Sequence, residues 1–243
     1  MTPTRKTGGK AVAKYFQIDL PRRAFRRQNR PSPPPPGQPV RDELMARMCR
    51  FQLFAKLPPA VLLELVSVSS VRAFRSGEYL WRRGEPAQRV VFLETGFVKA
   101  ARRNREGASR TYALFGPGDS LGVFAIWAGM EYPTDAVSLN EGLTAICVES
   151  GAIAKLAEKY PPLAVRLRSE LIRFTDAFIN KIEIVSAGTV PQRVAVLMMQ
   201  LTERYGTAKK GVQARLPVVL TLEQISEIVG ARLETVARVF SGW

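Results

Sequence analysis

Between positions 68 and 148 the chain is cut into short pieces by Gly77, Gly84, Gly96, Gly107, Gly116, Gly118, Gly122, Gly129 and Gly142. The intervening runs at 68–74, 78–81, 90–93, 97–101, 110–115, 135–139 and 143–148 have strand character. Several short strands at about 8–12-residue spacing, bounded by turn residues, read as a β-sandwich or jelly roll.

Helical patterns flank this region. Leu44, Met48, Phe51, Leu53 and Phe54 read as a short helix and its exit. Pro58 and Pro59 start a second helix over 60–67, with Leu62, Leu63 and Val66 on one face. After the last strand, Ser150 is placed to cap a helix over 152–160. Pro161 and Pro162 end it and open a longer one, running from 163 to about 186. Its apolar positions Leu167, Leu171, Phe174, Phe178, Ile182 and Val185 recur at the helical period. A stripe of roughly 30 Å is longer than one small β-domain covers, which makes these residues a candidate dimer interface. The alternative is a helix lying flat on its own domain. Gly188 ends this helix, and Pro191 opens another over 192–205 with Val194, Leu197, Met198 and Leu201 inward. The segment 208–216 is polar and reads as a hairpin.

Composition narrows the function classes. The 243 residues allow one or two domains, and 46% hydrophobic content supports a true core. The net charge of +15 points to polyanionic partners, nucleic acid before membrane. Of that charge, +9 lies in residues 1–41, which hold a single acid, Asp19, and end in a proline run from Pro31 to Pro39. Such a segment builds no core. It reads as a disordered basic arm for DNA, as inert solvated chain, or as sequence upstream of a true start near Met45 or Met48. Cys49 and Cys147 are too few for a disulfide framework and suit a reducing, cytoplasmic setting. Histidine is absent, which removes the commonest general base and zinc ligand. No nucleophile–base pair, P-loop or metal set is visible, so an enzyme is not expected. No apolar run approaches the ~20 residues of a membrane span, and the N-terminus lacks the apolar region of a secretory signal.

The last segment, 220–240, carries the most functional information. Thr221 with Gln224 forms a capping box, and Ile225, Ile228 and Val229 make a buried face. Gly230 supplies the tight turn to a second helix whose inward face holds Val236 and Val239. The outward face carries Arg232, Glu234, Thr235 and Arg238. Arginine pairs with guanine O6/N7, glutamate accepts from cytosine N4, and threonine meets phosphate or a thymine methyl. Taken alone, the segment is equally an ordinary helical hairpin with a charged solvent face.

The pattern Thr221-x-x-x-Ile225-x-x-x-Val229-Gly230-x-x-x-Glu234-Thr235-Val236-x-Arg238 resembles the helix-turn-helix of the Crp/Fnr regulators. Independently, Gly77-Glu78-x-Leu80, Gly84-Glu85-Pro86-Ala87, Val90-Val91-Phe92-Leu93, Gly96-x-Val98 and Gly116-Pro117-Gly118-Asp119-Ser120-Leu121-Gly122 resemble the cyclic-nucleotide-binding β-roll. The resemblance spans about residues 48–240. It implies, after the disordered tail over 1–41, an α+β architecture: a β-roll sensor domain over 42–160, a dimerisation helix over 161–187 and a helix-turn-helix domain over 188–243. It also implies a bacterial homodimer that binds near-palindromic double-stranded DNA and contacts RNA polymerase, with no membrane partner. Glu234 and Arg238 would then be the main base readers, assisted by Arg232 and Thr235.

Three departures qualify the resemblance. Cyclic-AMP-binding members follow the glycine with a ribose-holding glutamate and later use an Arg-Ser pair on the phosphate. Here Val123 follows Gly122, and the later position reads Pro133-Thr134-Asp135. A phosphate would face Asp135 without an arginine. The candidate effector pocket of Gly122, Val123, Phe124, Thr134 and Asp135 is therefore expected to be more apolar, or absent, and not to take cyclic AMP. Oxygen-sensing members carry an N-terminal cysteine group, whereas Cys49 stands alone. An iron–sulfur cluster is not expected, and Cys147 reads as a buried small hydrophobe. Haem is not expected without histidine. Finally, the sequence stops at Ser241-Gly242-Trp243, where the family continues into a wing. The expectation is a helix-turn-helix domain lacking a full wing, with weakened DNA binding. The alternative function is a β-roll ligand-binding or dimerisation protein whose DNA head is inactive.

Overall fold

The computed structural model describes residues 38–104, 107, 109–124, 131–206, 216 and 218–242, with backbone alone at 38–40. Helix α1 (Gln38–Met48) and helix α2 (Pro59–Ser67) precede the strands. Strands β1 (Ser69–Phe74), β8 (Leu143–Glu149), β3 (Arg89–Thr95) and β6 (Ser120–Leu121) form one antiparallel sheet in that order. Strands β2 (Tyr79–Trp81), β7 (Asp135–Ser138), β4 (Val98–Arg103) and β5 (Ser109–Phe115) form the other. Helices α3 (Ser150–Lys159), α4 (Pro161–Ser186), α5 (Val190–Tyr205), α6 (Leu222–Val229) and α7 (Leu233–Ser241) follow.

The central strands β3 and β8 read as unbroken hydrophobic runs because both of their faces are covered. Alternate side chains of a strand point to opposite faces. Val90, Phe92, Ile146 and Val148 face a helical core with Met48, Phe54, Leu65, Ile153 and Leu167. Their neighbours Val91, Leu93, Ala145 and Cys147 face the second sheet, with Val98, Ala100, Ala113 and Phe115. The register Val91↔Cys147 and Phe92↔Ile146 keeps the two sets apart.

A third core belongs to the C-terminal helices, which pack Val194, Leu197, Leu201, Ile225, Ile228, Val229 and Val236 together. Phe97 and Leu139 of the β-roll complete it. Phe97 meets the Tyr205 ring edge-on at 4.9 Å. The division at 187/188 therefore cuts through a continuous hydrophobic contact.

Two local sequence expectations change. The tail gives way to helix at Gln38, before position 41; residues 1–37 lie outside the described residues. Ser150 does not cap α3, because its hydroxyl donates to the Ala87 carbonyl at 2.7 Å and Glu149 occupies the cap position. The two-residue strand β6 and the capping box of Thr189 and Gln192 on α5 were not foreseen. The expected hairpin at 208–216 lies outside the described residues except for Leu216.

The largest correction concerns α4. Leu167 is fully buried against its own domain, Leu171 lies beside the same core, and Phe174 and Phe178 pack on the inter-sheet core. Val185 is half-buried beside the turn at Gly230. Of the proposed interface stripe, only Ile182 stands exposed, at 62%. A stripe at 3.6-residue spacing runs straight along a helix and suits packing on a single domain. A second apolar set, Val165, Ile172 and Ile179, is 54%, 66% and 47% exposed. Its seven-residue spacing is the coiled-coil repeat.

Candidate nucleic-acid interface and effector region

The helix-turn-helix is built as its local chemistry demands. Gln224 N–H donates to Thr221 Oγ1 at 3.1 Å, and Thr221 N–H donates to Gln224 Oε1 at 2.9 Å. These bonds satisfy two otherwise orphaned amides at the start of α6. Gly230 ends α6 at φ 66°, a left-handed conformation that costs glycine little. Ala231 N–H then donates to the Ser226 carbonyl at 3.1 Å and starts the turn. Arg232 is the cap residue of α7, its carbonyl accepting from Thr235 and Val236 at 3.0 and 3.1 Å. Val236 is fully buried in the head core and Val239 packs beside it. That fixes the opposite face outward: Arg232, Glu234 and Arg238 are exposed and Thr235 is half-buried. Among the described residues, none of the Arg232, Glu234 and Arg238 side chains makes a hydrogen bond or ion pair.

The head is tied to the β-roll by polar contacts that the sequence did not announce. Glu227, on α6, pairs with Lys99 of β4. The hydroxyls of Thr111 and Ser109, on one face of β5, donate to the same carboxylate oxygen at 3.3 and 3.5 Å. Two cations close the C-terminus of α6, where unsatisfied carbonyls carry partial negative charge. Lys181 of α4 donates to the carbonyls of Glu227 and Ile228, and Arg193 of α5 to that of Val229. Burial pushes the Lys181 ammonium down to about 8, helped by Arg110 and Arg193 and opposed by Glu227. A second clamp gathers on Asp119, which accepts from Arg204 and from the Tyr205 hydroxyl, both at 2.6 Å. Burial first, and then Asp119, raise the Tyr205 phenol above its ordinary range. Neither clamp had a sequence signal, since each partner lies far along the chain from the other.

The candidate effector residues do not converge on one open space. Gly122 adopts φ 80°, and a Cβ there would meet the Arg89 carbonyl at 2.9 Å. Val123 is buried in the helical core. Phe124 meets Phe174 at 4.9 Å, Phe174 stacks on Phe115 at 5.5 Å, and Phe178 meets Phe174 at 5.0 Å. These four rings occupy the space between β5 and α4. The Thr134 carbonyl accepts from Trp81 Nε1 at 3.1 Å, and the Asp135 carboxylate accepts from Arg83 N–H at 2.8 Å. Trp81 also stacks on Tyr132 at 4.1 Å. Residues 125–130 lie outside the described residues. Cys147 is buried between the sheets, and that burial raises its thiol. Among the described residues no group of three or more His, Cys, Asp or Glu is placed to hold a metal. Among the same residues no helix is long and apolar enough to cross a membrane.

Residues 71–160 match the family of the cyclic nucleotide-binding domain. The CRP-like cAMP-activated global transcriptional regulator of Mycobacterium tuberculosis is 28% identical over 207 residues, covering 83% of this chain and 90% of that protein. The transcriptional activator protein anr of Pseudomonas aeruginosa is 25% identical over 178 residues, covering 70% of this chain and 68% of its own length. The solved structure of FixK2 from Bradyrhizobium japonicum superposes with a TM-score of 0.62 at 22% identity, covering 72% of this chain and 84% of that one. That likeness establishes a shared fold. With a β-roll, a long connecting helix and a helix-turn-helix in the same order, these likenesses support a transcription regulator of the Crp/Fnr superfamily.

Proposed function

We propose that the protein is a homodimeric, sequence-specific DNA-binding regulator that reads a near-palindromic site through Arg232, Glu234, Thr235 and Arg238. The observation that carries this reading is the state of α7: Val236 is buried and Val239 packs beside it, while the arginine and glutamate side chains have no intramolecular partner among the described residues. Side chains with this donor and acceptor chemistry suit base edges in the major groove. Dimerisation through Val165, Ile172, Ile179 and Ile182 would present two such helices related by a two-fold axis. Contact with RNA polymerase would then turn DNA binding into control of transcription. Cyclic AMP held in the family's usual way is not the effector in this reading. Its support is Val123 in place of a carboxylate, no arginine at Pro133-Thr134, and the four phenylalanine rings between β5 and α4.

Selection of the full chain on random duplex DNA, at near-physiological salt, tests the proposal. Two half-sites about one helical turn apart are expected, with enrichment lost on Arg238→Ala. Enrichment of no sequence, by a folded dimeric protein, would contradict it.

A further inference from the structure

A cationic groove of about 280 Å³ opens between the 51–57 loop and α4. Lys56, Arg166 and Arg173 line it, with Glu170 as its sole carboxylate among the described residues. The four side chains sum to +2 at neutral pH. Arg166 holds the loop by donating from Nη1 to the carbonyls of Leu53 and Ala55, which leaves the donors on Nη2 and Nε. Glu170 is buried and doubly bonded: Ser120 Oγ donates to it at 2.6 Å, and Arg173 pairs with its other oxygen. Ser120 therefore keeps Glu170 partnered if Arg173 turns toward a bound anion. Among the described residues Lys56 makes no hydrogen bond or ion pair. It is also the one non-glycine residue at positive φ among them, at 66°. A side chain there is strained, yet this strained position places an unpaired ammonium at the groove.

We infer that this groove binds a small diphosphate, either inorganic or as the phosphate end of a nucleotide. Two guanidinium forks match phosphate oxygens in a way that a lone ammonium does not. The surplus of two positive charges suits a multiply charged anion better than a monocarboxylate. The volume lies just below the ~300 Å³ at which drug-sized ligand pockets begin, so it suits diphosphate better than a whole nucleotide. On the helical wheel the groove sits to one side of Val165, Ile172 and Ile179, so pairing along that stripe would leave its mouth at the edge of the interface.

The test is calorimetric titration of the full chain with inorganic pyrophosphate and, separately, with ADP at constant salt. Lys56→Gly is the decisive variant. It removes the cation and relieves the positive-φ strain, so its melting temperature should equal or exceed that of the parent. Pyrophosphate affinity should fall roughly tenfold in Lys56→Gly and again in Arg173→Gln, each removing one charge-assisted contact. Arg238→Ala should leave it unchanged. Tighter binding of ADP than of pyrophosphate would identify the nucleotide as the source, and equal binding the phosphates alone. Absence of pyrophosphate binding at millimolar concentration, or binding that survives both groove substitutions and so belongs to the basic tail, would overturn the assignment.

Discussion

The outer face of α7 and the space between β5 and α4 are finished in opposite ways. On α7, Arg232, Glu234 and Arg238 project outward without a partner among the described residues. Between β5 and α4, Phe174 packs against the rings of Phe115, Phe124 and Phe178. Polar groups left unpaired by the fold remain available to a ligand, whereas a close-packed apolar cluster has already met its neighbours. The contrast separates a surface prepared for binding from an interior prepared for stability.

The sharpest way to test the contrast is to open the interior. Phe115→Ala removes a fully buried ring and should cost about 3–5 kcal/mol of stability, measured by denaturant unfolding. The same truncation on the outer face should behave in reverse. Arg238→Ala should leave unfolding within about 0.5 kcal/mol of the parent while weakening specific DNA binding by about 1–3 kcal/mol in a competition assay. If Arg238→Ala unfolded the protein, the α7 face would be structural and the contrast would fail.

Between those extremes lie the contacts joining head to sensor. Lys99→Met leaves Glu227 with hydroxyl partners alone and should destabilise by about 1–3 kcal/mol. Hydrogen exchange should then report faster opening of α6 than of β3. The smallest effect is on pH dependence. Lys181 is held down to about 8 against an ordinary 10.5, so between those values the unfolded chain binds the proton that the folded chain has released. Stability should therefore rise with pH across that interval, and Lys181→Met should remove the rise. A flat profile in the parent would mean that the ammonium is better solvated than its burial implies.

The β-roll was legible because turn glycines and alternating strands are local signals: the strand runs read from sequence differ from those in the structure by two residues at most at either end, with β6 alone unread. The helix-turn-helix was legible for the same reason, since Thr221, Gln224 and Gly230 act on neighbours a few residues away. The face of α4 was legible only as two alternatives because two apolar series share one helix, and spacing alone does not say which domain or copy covers each. Leu167 and Ile172 differ only in what lies opposite them in space. The Glu227 and Asp119 clamps were illegible because Lys99 and Glu227, or Asp119 and Tyr205, meet through tertiary packing.

The most direct test of the central claim is the ratio of specific to non-specific affinity for duplex DNA, measured by fluorescence anisotropy on parent and Arg238→Ala at one salt concentration. The account predicts a large ratio for the parent that falls about fivefold or more in the variant, with non-specific affinity nearly unchanged because it rests on phosphate contacts. A ratio near one for the parent, or one that Arg238→Ala leaves intact, would contradict it.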